Sequence, residues 1–158
     1  MATIKTKDVY KYTVKLVKEG RAAYAIPEGL KKIERSMNAP EVIESALKVS
    51  QWHNEKMGFI ALNAQSDIIG IHIITEGTIN QSAVYPREVI LRALLHNAAS
   101  IILFHNHPGG SIRPSRADIE VTERIKEACA TVDIQLHDHI IMTESVFVYY
   151  SFAEGGLL

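Results

Sequence analysis

The sequence predicts an α/β protein, α+β-like in arrangement, in which helices flank a mixed β-sheet. Hydrophobic periodicity gives the order helix, two strands, helix, strand, helix, two strands. Residues 100–104 form an apolar, β-branched run typical of a strand buried on both faces. The chain has 158 residues with 47% hydrophobic content, enough for one domain with a full core.

The first helix is predicted over residues 38–54. Asn38 is a suitable capping residue, Pro40 fits the first turn, and Glu41 lies near the positive end of the helix dipole. Apolar residues then recur along one face.

Two further helices have equally clear beginnings. Pro86 opens the second, whose apolar face is expected to pack on the sheet. Ser115 is a good N-cap for the third, predicted to end near residue 130. Its apolar face is marked by Val121, Ile125, Ala128 and Val132.

The remaining strands are predicted in two pairs. Residues 57–62 and 68–75 are separated by a short polar turn, so we expect them to pair antiparallel. Residues 134–142 and 146–150 are predicted as two closing strands.

The N-terminal part carries most of the positive charge. Residues 1–35 contain nine Lys or Arg against four acids, and the remainder contains eight against fourteen. This basic leader is a candidate surface for nucleic acid or an acidic partner. However, the charges alternate with apolar residues over a predicted strand at 9–17, which favours a solvated strand face. We therefore divide the chain into a leader, 1–37, packed on the core, and a domain, 38–158.

Composition also excludes some classes of protein. No apolar run approaches the roughly 20 residues needed to span a bilayer, and the N-terminus lacks an apolar signal-peptide centre. We expect a cytoplasmic protein without a membrane association. Cys129 is the single cysteine, so it forms no internal disulfide and is most simply a small core residue.

A candidate metal site follows the central apolar strand. If that strand continues past residue 104, its period of two places His105 and His107 on one side and Asn106 on the other. Residues 108–110, Pro-Gly-Gly, then break the strand.

Asp118 provides a carboxylate near the two histidines. It falls in the first turn of the third helix, where it can face back toward the end of the strand. Three protein ligands would leave a zinc ion one open position for water, which distinguishes catalytic from structural zinc. Alternatively, Ser115 and Asp118 form a capping box that satisfies amides at the helix start.

The combined motif resembles a known family. His105-x-His107-Pro108-x-Gly110 followed by Ser115-x-x-Asp118 is similar to the JAMM motif of the MPN/JAB metallopeptidases. Further stretches resemble the RadC-like branch: Asn106, Pro114-Ser115-Arg116-x-Asp118, Asp138-His139-Ile140-Ile141, Gly77-Thr78, Pro86-Arg87-Glu88 and Asn97-Ala98-Ala99. The likeness covers about residues 40–152 and implies the cytidine-deaminase-like fold of MPN/JAB domains.

The resemblance also implies a mechanism. His105, His107 and Asp118 would hold one Zn²⁺ with a bound water, and Ser115 would donate a hydrogen bond to the oxyanion. The bond cleaved in such relatives is often a peptide or isopeptide bond, so an unidentified protein or peptide is the expected substrate.

The proton shuttle is assigned through the same resemblance. Metal-assisted hydrolysis usually needs a carboxylate that is not a ligand. The sequence alone offers Glu55, Glu76, Glu88 and Glu144. The family places its catalytic glutamate where a helix meets a strand with a Gly-apolar pattern, which matches Glu55. Without the resemblance, Glu55 reads as a solvated charge at a helix end.

A different class of function stays open. RadC-type proteins are linked by name to DNA repair, so the alternative is a repair-associated or mobile-element-associated nucleic-acid factor with a structural or phosphodiester-directed metal. The Gly-rich helix-hairpin-helix region of full-length RadC-like proteins is not evident in this sequence. A metal-free scaffold is a third possibility, although such relatives usually lose the ligands.

Two clusters have no settled role. Arg87 and Glu88 either line the site or pair on the helix surface. His137-Asp138-His139 either packs at the edge of the core or contributes Asp138 as the acceptor for the other ring N–H of a ligand histidine.

Overall fold

A computed structural model describes residues 24–33, 35–77 and 84–158. Its centre is a five-stranded sheet with the spatial order β2-β1-β3-β4-β5. The strands are β1 (Lys56–Leu62), β2 (Ile68–Glu76), β3 (Ser100–Asn106), β4 (Gln135–Met142) and β5 (Tyr149–Ser151).

The sheet is mixed, as the sequence predicts. β1 pairs antiparallel with both β2 and β3, β3 pairs parallel with β4, and β4 pairs antiparallel with β5. The apolar strand β3 therefore occupies the centre of the sheet, and its carboxyl end lies beside that of β4.

Three α-helices cover the sheet: α1 (Ala39–Leu47), α2 (Pro86–Leu95) and α3 (Arg116–Thr131). Short 3-10 turns occur at Glu28–Leu30, Ser36–Asn38 and Val49–Gln51. In the described ranges, no helix has both the length and the apolar character to cross a membrane.

The alternating side chains of β3 build a core on each face. Ile101 and Leu103 pack into the cluster that includes residues of α2 and α3. Ile102 and Phe104 pack into the cluster that includes residues of α1. This alternation continues to the end of the strand, so His105 and Asn106 leave the sheet on opposite faces.

The first helix is shorter than predicted, because it ends at Leu47 and not near residue 54. Lys48 follows in the left-handed region at φ 55°, and its N–H donates to the Glu44 carbonyl. The Glu44 carboxylate then accepts from the Ser50 N–H at 2.9 Å and its hydroxyl at 2.6 Å, which stabilises the 3-10 turn. Glu55 consequently lies in an irregular segment just before β1.

The last strand begins later than predicted. Residues 143–148 form a loop, because Thr143 Oγ1 donates to the Val148 carbonyl at 2.8 Å and accepts from the Ser145 N–H at 3.3 Å. The Thr143 hydroxyl thus takes the place of backbone hydrogen bonds to a neighbouring strand.

The predicted leader strand at residues 9–17 lies outside the described residues. The end of the leader meets the sheet near β2: the Ile33 N–H donates to the Ser66 carbonyl at 3.0 Å, and the Ile68 N–H donates to the Lys31 carbonyl at 3.0 Å. Ile33 is fully buried. Residues 31–33 therefore pack beside the turn that precedes β2.

Candidate metal centre

Two imidazoles meet at the carboxyl end of β3. His105, in the strand, is fully buried, and His107 lies one residue beyond the strand end, partly exposed. Their Nε2 atoms are 2.9 Å apart. The strand period predicts this side-by-side placement.

Asp118 brings a carboxylate to both rings. Its Oδ1 lies 3.2 Å from His105 Nε2, and its Oδ2 lies 3.5 Å from His107 Nε2. Its side chain is 2% exposed, so the three groups meet away from bulk water.

The same carboxylate also caps α3. The Ser115 N–H donates to Asp118 Oδ2 at 2.7 Å, and Ser115 Oγ accepts from the Asp118 N–H at 3.1 Å. The predicted capping box is therefore present. It does not compete with the site, because it holds the Asp118 carboxylate beside the two histidines.

Glu55 approaches the pair from the segment before β1. It forms a group with His105 and His107 in which one donor atom of each residue lies within 4.8 Å of the others, a geometry that could hold a metal ion. Two of the other candidate glutamates make ion pairs elsewhere, Glu76 with Lys56 and Glu88 with Arg92.

Asn106 fixes the backbone on both sides of Glu55. Its Oδ1 accepts from the Lys56 N–H at 2.8 Å, and its Nδ2 donates to the Asn54 carbonyl at 3.1 Å. The Glu55 carbonyl in turn accepts from the Gly77 N–H at 2.8 Å. The residue between the two histidines thus orients the glutamate that faces them.

The contacts among Asp118, His105 and His107 shift the pKa values of Asp118 and His107. Burial alone would raise the pKa of Asp118, but contact with the His105 and His107 rings, when these rings are protonated, lowers it well below its usual range. The hydrogen bond to Asp118 raises the pKa of His107 against the opposing effect of burial, and the bond to the Ser111 carbonyl adds to the increase. Asp118 therefore stays ionised and attracts a cation.

The hydrogen bond between His107 Nδ1 and the Ser111 carbonyl determines which nitrogen of the His107 ring carries a lone pair. His107 Nδ1 lies 2.7 Å from the Ser111 carbonyl oxygen, which can only accept, so Nδ1 must carry hydrogen. In the neutral ring, Nε2 then presents its lone pair toward His105. Two nitrogens at 2.9 Å beside a carboxylate form a donor set of the kind that binds zinc.

A second layer of buried groups lies behind His105. His105 Nδ1 is 2.8 Å from His139 Nε2, and His139 Nδ1 is 2.6 Å from Thr122 Oγ1. Both His139 and Thr122 are buried, and the His139 ring stacks on Phe152 with centroids 4.6 Å apart. No sequence pattern marks Thr122, since a threonine within an amphipathic helix has the pattern of an ordinary core position.

The interpretation of Asp138 as the partner of a ligand histidine is wrong. Its carboxylate accepts from the Ser151 hydroxyl at 2.5 Å, the Ala153 N–H at 3.0 Å and the His139 N–H at 2.7 Å. Asp138 thus anchors the chain after β5, and its neighbour His139 contacts His105.

Arg87 and Glu88 pair on the surface of α2. Arg87 Nε lies 3.4 Å from Glu88 Oε1, and its side chain is 82% exposed. Glu88 pairs more closely with Arg92, at 2.8 Å. These contacts match the surface-pair interpretation.

Ser115 lies at the edge of the site. Its backbone N–H contacts the Asp118 carboxylate, and its residue is exposed. Its Oγ accepts from the Asp118 N–H, and across the described ranges its hydroxyl hydrogen has no acceptor. That hydrogen therefore faces solvent.

Comparison with known proteins agrees with this architecture. The family model for the RadC-like JAB domain matches residues 33–157. The chain is 39% identical to the UPF0758 protein YeeS of Escherichia coli over 84% of this chain and 95% of YeeS. It is 39% identical to a UPF0758 protein of Azotobacter vinelandii over 78% of this chain, and 38% identical to one of Thiobacillus denitrificans over 88%.

The relatives differ in length. The matched part makes up 55% of the Azotobacter protein and 67% of the Thiobacillus protein, so the chain spans little more than half of some relatives. The match nevertheless includes the whole described sheet, its three helices and the candidate metal centre of Glu55, His105, His107 and Asp118. The chain therefore belongs to the RadC-like JAB domain family.

Proposed function

We propose that this chain is a zinc-dependent hydrolase of the JAMM type that cleaves a peptide or isopeptide bond. The observation that carries the proposal is the convergence of four side chains from separate parts of the sequence. His105 Nε2, His107 Nε2 and the Asp118 carboxylate lie within 3.5 Å of one another in pairs, and Glu55 faces the two rings.

The donor set fits a single divalent ion. Two neutral imidazoles and one carboxylate are ligands that zinc binds, and they are fixed by a strand, the residue after it and a capped helix. When bound in such a three-ligand site, zinc polarises a water molecule and lowers its pKa to about 7.

The remaining roles fall to groups next to this set. Glu55 would take a proton from the attacking water and give it to the leaving amine, because it faces both histidines and its backbone is held by Asn106. The Ser115 hydroxyl would donate to the developing oxyanion, since its hydrogen is available there.

The nucleic-acid alternative has less support from charge. Residues 36–158, which include every residue of the metal centre, carry eight Lys or Arg against fourteen acids. A net negative domain repels phosphates, and phosphate contacts dominate affinity for DNA. The proposal therefore treats a protein or peptide as the substrate.

Metal content tests the site. The purified wild-type protein and the variants His107→Ala, Asp118→Asn and Glu55→Gln would be compared for zinc by mass spectrometry. We expect about one zinc per chain in the wild type and in Glu55→Gln, and a large loss in the other two. Equal zinc in all four proteins would reject the site, and a loss in Glu55→Gln as large as in Asp118→Asn would make Glu55 a ligand.

Cleavage tests the chemistry. Zinc-loaded wild-type protein would be incubated with a mixture of linear and lysine-branched peptides, and new termini would be identified by mass spectrometry. Glu55→Gln is the matched control because it should keep the metal and lose roughly 10²- to 10⁴-fold in rate. If the loaded wild type cuts neither kind of peptide bond, the proposed reaction is wrong.

A further inference from the structure

The hydrogen bonds behind His105 determine which of its nitrogens carries hydrogen. The series runs from the Asp118 carbonyl through Thr122 and His139 to His105. In each of these hydrogen bonds, the donor and the acceptor can be assigned by counting the hydrogens that each side chain carries. The inference deepens the proposed function and rests on its assignment of His105 as a metal ligand.

Thr122 is the first side chain in this series of hydrogen bonds. Thr122 Oγ1 lies 2.5 Å from the Asp118 carbonyl oxygen. Two oxygens this close need a hydrogen between them, and a carbonyl has none to give. The one hydroxyl hydrogen of Thr122 is therefore used in this bond, and Thr122 can act toward His139 only as an acceptor.

The next step is His139. Its Nδ1 is 2.6 Å from Thr122 Oγ1, so Nδ1 must carry the hydrogen of that bond. His139 is fully buried, and no carboxylate contacts its ring in the described ranges, so the ring is neutral and has one hydrogen. Its Nε2 is consequently a lone pair and an acceptor.

His105 is the last residue in this series. His105 Nδ1, 2.8 Å from His139 Nε2, must donate to it. In neutral His105 this leaves the lone pair on Nε2, the nitrogen that faces His107 and Asp118. A carboxylate or carbonyl usually accepts the second N–H of a ligand histidine. Here another histidine accepts it, and a histidine can do so only in one of its two tautomers.

We propose that Thr122 and His139 are positioning residues that hold His105 in the tautomer able to bind metal. Without the Thr122 hydroxyl, His139 loses the acceptor for its Nδ1–H and is free to move its hydrogen to Nε2. It would then donate to His105 Nδ1, which would place the hydrogen of His105 on Nε2 and block the metal position.

Thr122→Val and Thr122→Ser form a matched pair for the test. Valine keeps the branched shape of threonine and removes the hydroxyl, and the helix still supplies the Asp118 carbonyl with a backbone donor. Serine keeps the hydroxyl and removes a methyl group. A purely structural role would make both variants weaker, whereas the tautomer role makes only the valine variant weaker in metal binding.

The first measurement is zinc affinity of chelator-treated protein, by competition with a chromogenic chelator. We expect Thr122→Val to bind roughly 10- to 100-fold more weakly than the wild type, and Thr122→Ser to bind nearly as well as the wild type. Equal affinity of wild type and Thr122→Val would overturn the inference.

The second measurement needs neither metal nor substrate. Long-range ¹H–¹⁵N spectra of the imidazoles in chelator-treated, ¹⁵N-labelled protein report the tautomer of each ring. We expect hydrogen on Nδ1 of both His105 and His139, and on Nε2 of His139 in Thr122→Val. Wild-type His139 with hydrogen on Nε2 would refute the inference. If the wild type binds no zinc but shows the expected tautomers, the proposed function fails and the hydrogen-bond assignment stands.

Discussion

The side-chain amide of Asn106 bonds to the peptide groups on both sides of Glu55. It accepts from the Lys56 N–H at 2.8 Å and donates to the Asn54 carbonyl at 3.1 Å. Asn106 is itself placed by β3, which also places His105 on the opposite face. One strand end therefore sets the position of His105 and of the glutamate that faces it.

Asn106→Ala should release the segment that carries Glu55. The Lys56 amide would lose its acceptor, so we expect its hydrogen exchange to become faster, together with a loss of about 1–3 kcal/mol in the free energy of unfolding. Asn106→Asp is the control, because it keeps an acceptor for Lys56 and should leave that amide protected. Unchanged exchange at Lys56 in the alanine variant would contradict this reading of the bond.

Two substitutions of Ser115 distinguish its role as a helix cap from its proposed role as an oxyanion donor. Ser115→Ala should cost about 0.5–2 kcal/mol in the free energy of unfolding, and Ser115→Gly only a few tenths, as for N-caps in general. Chemical denaturation measures both. A glycine variant as unstable as the alanine variant would argue against a cap effect.

The glycine variant then isolates the hydroxyl. If peptide cleavage is observed, Ser115→Gly should retain the helix start and lose about 10²- to 10³-fold in turnover, the range for removal of one oxyanion donor. Its KM should change much less than its turnover. Turnover equal to that of the wild type would exclude Ser115 as the oxyanion donor.

Asp138 should contribute to stability and not to metal affinity. Asp138→Ala removes the acceptor for the Ser151 hydroxyl and for the Ala153 and His139 amides, three buried or partly buried donors. We expect a loss of about 3 kcal/mol or more in thermal or denaturant unfolding. Asp138→Asn should lose less, because its remaining oxygen still accepts from the two amides. Near-wild-type stability of the alanine variant would contradict this role.

A histidine pair away from the metal centre should make the fold sensitive to acid. His72 Nε2 lies 2.7 Å from His96 Nε2. Burial lowers the pKa of His72 below its ordinary 6.5, and His96 and Arg92 lower it further. Below about pH 6.5 the unfolded chain therefore binds more protons at this position than the folded chain, and stability falls as pH decreases through that window.

Replacement of His72 tests this dependence. In His72→Gln, the free energy of unfolding should fall less steeply between about pH 6.5 and 5 than in the wild type. His53→Gln is the matched control, because His53 is exposed. If the His72 and His53 variants show the same slope as the wild type, the pair does not govern the acid response.

Much of the fold follows from local pattern. The apolar runs of β1 and β3 and the cap of α3 each dictate their element, because burial and capping act within a few residues. The end of α1 does not follow, since it depends on the Glu44 carboxylate capping Ser50, and β5 is shortened by the Thr143 hydroxyl. Such side-chain bonds compete with helices and strands without changing hydrophobic periodicity.

The sequence also predicts only part of the candidate metal centre. The placement of His105, His107 and Asp118 is predictable, because a strand period and a helix cap act at short range. Their second layer is not, since Thr122 and His139 lie far from His105 in sequence and meet it only after α3 packs on β4. The family resemblance supplied Glu55, and neither charge nor periodicity distinguishes it from the other glutamates.

The double use of Asp118 affects how related sequences should be interpreted. Its carboxylate begins α3 as well as facing the histidines, so a relative that binds no metal would still be expected to keep an acid there. His107 lies beyond the strand and is partly exposed, so its loss would cost the fold little. Retention of His107, more than of Asp118, should therefore mark the members of a lineage that still bind metal.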